Sequence, residues 1–289
     1  MSVRLHSAQV IAKRKIFETI INPGFYIALA LSLFTSYFLI NGFVHSIDSS
    51  GFNFALNPLY GALSKTLAGA FGDAMIEKLF LEGPFLLVLY IYLLPVLIFL
   101  SFSSAFRFGL EKKVGAVELV SYGPSDGTSY FLAVYLKDLL FALISIVALF
   151  IVALIASSAN NLVLGPQFLF SLITAFFVSS VIFGYGIFAA SITENGGSAV
   201  ILFLAVIVFF FVILAGSLSV AGGYVQTLFS TFSSVLQWIS PFYYWSICSR
   251  AVETGAPLLY GVGLVLLAVL TVLLLFISHK ILQAKGVRS

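Results

Sequence analysis

The chain has 289 residues, of which 61% are hydrophobic and 9% are charged, and its formal net charge at pH 7 is +3. Soluble domains carry roughly 25% charged residues, so a soluble core of this length could not bury so much apolar surface. The composition therefore excludes a soluble enzyme, a nucleic-acid-binding protein and a disordered scaffold. The single cysteine, Cys248, excludes an internal disulfide bond and a multi-thiolate metal site.

The first predicted element is an amphipathic helix over residues 5–22. Apolar side chains recur at helical spacing along one side, and Arg14 and Glu18 fall on the opposite side. The apolar positions are Leu5, Ala8, Ala12, Ile16 and Ile20. Basic residues beside an apolar stripe are typical of helices on the inner membrane surface, so membrane lipids are an expected partner. The alternative is a plain basic anchor before the first span.

Six membrane-spanning helices are predicted from the charge-free runs that follow. A helix needs about 20 mostly apolar residues to cross a bilayer. The run Leu139–Thr193 is too long for one span and contains a polar turn, Ser157–Asn161, which predicts a helical hairpin. The predicted spans cover residues 24–45, 84–106, 136–157, 167–192, 198–221 and 257–278. We expect no buried ionisable side chain in them, which argues against a proton- or sodium-driven transporter.

Charges at the two ends of the chain indicate the topology. The N-terminal arm and the C-terminal tail are both rich in Lys and Arg, and such segments stay on the cytoplasmic side of a membrane. We therefore expect an all-α, multi-pass protein of the cell membrane with both termini in the cytoplasm and an even number of crossings. This assigns the more polar run 224–249 to an external, membrane-dipping segment and not to a seventh span.

Aromatic residues cluster towards the end of this segment. Such clusters are typical of the belt at the membrane–water interface, and the alternative role is an outer gate that lines a substrate exit. The candidate gate residues are Trp238, Pro241, Phe242, Tyr243 and Tyr244.

Residues 108–122, between the second and third predicted spans, have the most distinctive pattern of the cytoplasmic segments. An apolar stripe at helical spacing predicts a short helix that ends before Pro124. Glu111 and Glu118 share a second face of this helix, and Gly115 between them permits the close approach of another backbone. Such a helix suits docking in the groove of a partner. The alternative is an interfacial loop with an ordinary balance of charges.

The pattern Glu-x3-Gly-x2-Glu-Leu, followed by a Pro and by a Lys at the start of a span, resembles the ABC-2 type permease family. The residues that carry the resemblance are Glu111, Gly115, Glu118, Leu119, Pro124 and Lys137. Ala116 stands where the family usually has Thr. The turn Thr193–Asn195 and the sequence Ser240-Pro241-Phe242 are also similar, so the resemblance covers nearly the whole chain. The long first external loop is most similar to permeases associated with copper-site assembly and gliding motility.

The resemblance implies the membrane subunit of an ABC transporter, most commonly an exporter, that pairs with a second permease copy or a paralogue. In the family, the matching helix docks on separate ATPase subunits, which bind ATP and Mg²⁺. The sequence has no G-x4-G-K-[ST] phosphate loop, so we expect this chain to hold no nucleotide, metal or cofactor and not to be an enzyme. The rival interpretation is a non-transporting membrane anchor or assembly subunit of a larger complex.

Overall fold

The computed structural model describes residues 2–45, 47–48, 51–52, 58, 61–62, 65, 84–115, 127–218 and 236–284. The helices there are α1 (Ser2–Ile21), α2 (Pro23–Val44), α3 (Pro84–Lys113), α4 (Gly127–Asn160), α5 (Pro166–Ile192), α6 (Gly196–Leu218), α7 (Pro241–Glu253) and α8 (Pro257–Ala284). A 3-10 turn, Gln237–Ile239, precedes α7. Two short strands, β1 (Ile47–Asp48) and β2 (Gly51–Phe52), pair antiparallel. Apart from this short strand pair, the regular secondary structure of the described residues is helical, as the sequence predicts.

Prolines mark where most of these helices begin. Five of them start at a proline, whose fixed φ and missing N–H suit the first turn, where the backbone N–H has no helical partner. These prolines are Pro23, Pro84, Pro166, Pro241 and Pro257. Ahead of α2, the side chain of Asn22 also accepts a hydrogen bond from the N–H of Gly24 at 2.9 Å, which caps the helix. Asn22 is thus the single residue between α1 and α2.

Five helices of the described part of the chain are long and apolar enough to cross a membrane. They contain the stretches Pro23–Val44, Ile91–Lys113, Ser129–Asn160, Pro166–Ile192 and Pro257–Ala284. The protein is therefore a multi-pass membrane protein. The predicted span 198–221 corresponds to α6, of which Gly196–Phe210 forms a shorter apolar stretch. The count of six spans stays a prediction.

Helix α5 lies at the centre of the bundle and packs against α3, α4, α6, α7 and α8. Its last turn lies beside the end of α3, because Lys112 donates hydrogen bonds to the carbonyls of Ser191 (2.9 Å) and Thr193 (2.7 Å). The ring of Phe131 in α4 lies 6.4 Å from that of His279 near the end of α8. The helices thus place the first turns of α4 and the last turns of α3, α5 and α8 at one end of the bundle.

We call this end the basic end. If the first turns of α4 are left aside, cations outnumber acids among its described residues. The cations are Lys13, Arg14, Lys15, Arg107, Lys112, Lys113 and Lys280, and the acids are Glu18, Glu111 and Glu194. Because α1 leads directly into α2 and α8 ends here, the first and last described helices meet the same end of the bundle.

The predicted short helix over 108–122 differs from the structure. No helix begins at residue 108, because α3 continues without a break from Pro84 to Lys113. Gly115 then has a φ of +76°, a left-handed conformation that ends the helix and that glycine adopts without steric cost. The part of the prediction at 116–122 lies outside the described residues. Glu111 therefore belongs to the last turn of a long helix, not to a separate one.

Candidate functional site

The predicted docking residue Glu111 faces another helix of the same chain. Its Oε1 accepts a hydrogen bond from Nζ of Lys15 at 2.5 Å. This ion pair joins α3 to α1 through two residues that are 96 positions apart in sequence. Its Oε2 is buried and has no hydrogen-bond partner among the described residues. Lys15 is itself buried, with its ammonium group 5.4 Å from the centre of the Tyr130 ring in α4. This contact joins α1, α3 and α4.

Glu18 reinforces the same junction from α1. One of its oxygens lies 3.1 Å from Nε of Arg14, and the other lies 3.4 Å from Nζ of Lys15 and 3.8 Å from a guanidinium nitrogen of Arg107. Lys15 points into the protein, towards the Glu111 carboxylate of α3. A periodic pattern along α1 cannot reveal this orientation, because it depends on the Glu111 carboxylate of another helix.

A second ion pair is buried in α4, where the sequence predicted a span without buried charge, so that expectation was wrong. Nζ of Lys137 lies 2.8 Å from Oδ1 of Asp138 and donates to Oγ of Ser104 in α3 at 2.8 Å. Both side chains are buried, and Asp138 is only 1% exposed. The pair was missed because the charge-free run was counted from Leu139. Two adjacent charges just inside a span boundary are the signal that could have found it.

These groups surround a cavity of about 10 Å³, which is the size of a single water molecule. It is lined by Lys15, Thr19, Ser104, Arg107, Phe108, Glu111, Val134 and Lys137. We call this set, together with Glu18 and Asp138, the charged cluster. A cavity so small cannot hold a substrate. The contacts of the charged cluster join α1, α3 and α4. In the described part of the chain, no three His, Cys, Asp or Glu side chains are grouped to hold a metal ion.

The structure locates only two of the five predicted docking residues. Glu111 lies in the charged cluster, and Gly115 follows the end of α3. Glu118, Leu119 and Pro124 lie outside the described residues.

The predicted gate residues lie in residues 236–253, which we call the inserted segment. The Ile239 carbonyl accepts a hydrogen bond from the Tyr185 hydroxyl of α5 at 2.5 Å, and the Trp238 carbonyl accepts one from Tyr244 at 2.7 Å. Tyr185 is seven residues before the end of α5, which places it about 10 Å from that end at 1.5 Å per residue. The segment therefore reaches into the bundle towards the basic end.

Close packing holds the rest of the inserted segment. Cys248 is fully buried, and a Cβ atom at Gly263 of α8 would lie only 2.6 Å from its Sγ. Of the gate residues, Tyr244 and Pro241 are buried and Phe242 and Tyr243 are partly buried. Trp238 is 51% exposed, with its ring 5.5 Å from that of Tyr243. The predicted gate residues are thus brought together, but only Trp238 presents most of its side chain outward.

Comparison with known proteins adds no assignment to this geometry. No protein-family model, no curated protein and no solved structure matches the chain.

Proposed function

We propose that the chain is the membrane-spanning permease subunit of an ATP-driven ABC transporter of the ABC-2 type. It has six spans, works as an exporter in the cell membrane and pairs with a second permease copy or paralogue. Separate ATPase subunits bind ATP and Mg²⁺ and dock on the cytoplasmic face. The excess of cations at the basic end supports a cytoplasmic location for that end and for both termini.

The ion pair between Lys15 and Glu111 is the observation that carries this proposal. Glu111 lies four residues before Gly115, where α3 ends and the remaining predicted docking residues begin. A force applied there by a partner acts first on the last turn of α3. Because Lys15 binds this turn and Tyr130 lies beside Lys15, α1 and α4 are coupled to the same displacement. A rigid, charged joint at this place is what a subunit driven from outside the membrane requires.

Docking can be tested by purifying the tagged chain from its native membranes and measuring bound ATPase. We expect the parent protein to retain an ATPase subunit, and Glu118→Ala and Gly115→Leu to lose it. Losing one partner of a buried interfacial charge contact costs about 2–5 kcal/mol, which is at least a tenfold loss of affinity. Lys280→Ala, at an exposed position of the same end, is the control and should bind normally.

Two results would contradict the proposal. Retention of the ATPase by both docking variants at the parent level would favour the membrane anchor of a larger complex. Saturable ATP binding by the isolated chain at micromolar concentration would contradict a subunit that depends on a separate ATPase.

A further inference from the structure

The outward face of α1 is apolar, although this helix buries a lysine on its inward face. Phe17 and Ile21 are 62% and 63% exposed, and Val10 is exposed to a similar degree. The inward face presents Lys15 and the buried Thr19 to the charged cluster. Because the bundle satisfies the polar side of the helix, its apolar side is left facing away from the protein.

Two cations flank this apolar face. At 3.6 residues per turn, Val10, Lys13, Arg14, Phe17 and Ile21 fall within about 100° of arc around the helix. They border a shallow groove of about 510 Å³. The groove is lined by Val10, Lys13, Arg14, Ile16, Phe17 and Ile20, a set with two cations and no acid.

The free ends of these cations are directed away from protein partners. The Arg14 side chain is 81% exposed and engages Glu18 through Nε, which leaves its terminal nitrogens available. Lys13 is exposed and takes part in no ion pair within the described residues. The groove therefore offers two positive groups beside an apolar floor, which is complementary to a molecule with a phosphate at one end and hydrocarbon at the other.

The position of α1 in the chain selects the occupant. Only Asn22 separates α1 from α2, which is long and apolar enough to cross a membrane. The groove is therefore held beside the start of a span, where headgroups meet acyl chains. Apolar side chains at this depth contact acyl chains, and Lys and Arg beside them contact anionic headgroups. A soluble protein partner would have to displace these lipids first.

We propose that the α1 groove binds an anionic phospholipid, with its phosphate on Lys13 and Arg14 and an acyl chain against Val10, Phe17 and Ile20. This inference concerns a lipid site and holds whether or not the chain belongs to a transporter. Since Arg14 also binds Glu18, the bound phosphate adjoins the charged cluster that joins α1 to α3.

The test is native mass spectrometry of the full chain purified in micelles that contain equal amounts of phosphatidylglycerol and phosphatidylcholine. We expect the parent to retain phosphatidylglycerol preferentially. Lys13→Gln and Arg14→Gln should each reduce this preference about fivefold, the effect of one cation near an anionic surface. The charge-conserving pair Lys13→Arg with Arg14→Lys should keep it, and Phe17→Ser should weaken retention of both lipids.

Lys280→Gln removes an exposed cation of the same end outside the groove and is the matched control. If it lowers the preference as much as Arg14→Gln, the overall charge of the basic end attracts the lipid and the proposal is wrong. Unchanged retention in the double Lys13→Gln/Arg14→Gln variant would also overturn it. So would displacement of the lipid by millimolar glycerol 1-phosphate, which would identify a soluble phosphate as the ligand. Because both cations are exposed, these variants should unfold at the temperature of the parent.

Discussion

The charged cluster and the inserted segment both bring polar groups into the bundle, but they hold them by different forces. In the charged cluster, ammonium and carboxylate groups from α1, α3 and α4 neutralise one another. In the inserted segment, neutral tyrosine hydroxyls donate to the carbonyls of Trp238 and Ile239, and a sulfur atom packs against a glycine. One region depends on charge balance and the other on shape.

This difference predicts how each region fails. A buried charge that loses its partner is left uncompensated in a medium of low dielectric constant, and this penalty is several kcal/mol. A neutral hydrogen bond contributes about 1 kcal/mol net. A single substitution in the charged cluster should therefore lower the unfolding free energy strongly, and replacing its partner as well should reverse much of the loss. Substitutions in the inserted segment should lower the unfolding free energy by smaller amounts that follow the contact removed.

Removal of Asp138 should have the largest effect. Asp138→Ala leaves the Lys137 ammonium group buried with a neutral acceptor, Ser104, as its partner among the described residues, so we expect a loss of about 3–5 kcal/mol of unfolding free energy. The measurement is equilibrium unfolding in mixed micelles. The control replaces both charges, as Lys137→Met with Asp138→Leu, and should recover most of the loss. A double variant as unstable as the single one would refute the role of charge balance.

Gly263→Ala should have an intermediate effect, because its new methyl group overlaps the Sγ atom of Cys248. Overpacking of this kind typically costs about 1–3 kcal/mol. Gly261→Ala is the matched control, since a Cβ atom there meets nothing within 4 Å and alanine favours the helix. Cys248→Ala should partly rescue Gly263→Ala in thermal unfolding. Equal effects of the two glycine substitutions would show that shape is not what holds α7 against α8.

Tyr185→Phe should have the smallest effect of the three. It removes the hydroxyl that donates to the Ile239 carbonyl while keeping the ring that packs 5.0 Å from that of Phe210. We expect a loss of about 1 kcal/mol. Tyr37→Phe, at an exposed ring of α2, should be neutral in the same thermal unfolding assay. A loss above about 3 kcal/mol would place this bond in the same class as the buried ion pairs.

Much of the helical framework could be predicted from the sequence because its signals are local. Apolar length predicts α2, α5 and α8. The polar run Ser157–Asn161 correctly predicts a break between α4 and α5, but α4 stays helical to Asn160, so the connection begins later than predicted. Prolines mark the starts of the helices for a reason that requires no knowledge of neighbours. The periodicity of residues 5–22 likewise indicates a helix where α1 is found.

Apart from the adjacent charges of Lys137 and Asp138, the candidate site could not be predicted, because it depends on contacts between distant parts of the chain. Glu111 has the spacing of an exposed docking residue, yet Lys15, far away in sequence, binds it. A glycine at position 115 could lie inside a helix or end one, and only its φ angle distinguishes the two cases. The burial of Lys137 is stabilised by Ser104, a residue without any motif of its own.

The adjacency of Lys137 and Asp138 has a consequence for biosynthesis. A single charge in a nascent apolar helix opposes its transfer from the translocon into lipid. In α4 the opposite charge is the next residue, so the two neutralise each other as soon as this one helix forms. We therefore expect insertion of α4 to depend little on its contacts with α1 or α3. The ribosome delivers both halves of the ion pair in consecutive steps, and we expect this part of α4 to enter the membrane without net charge.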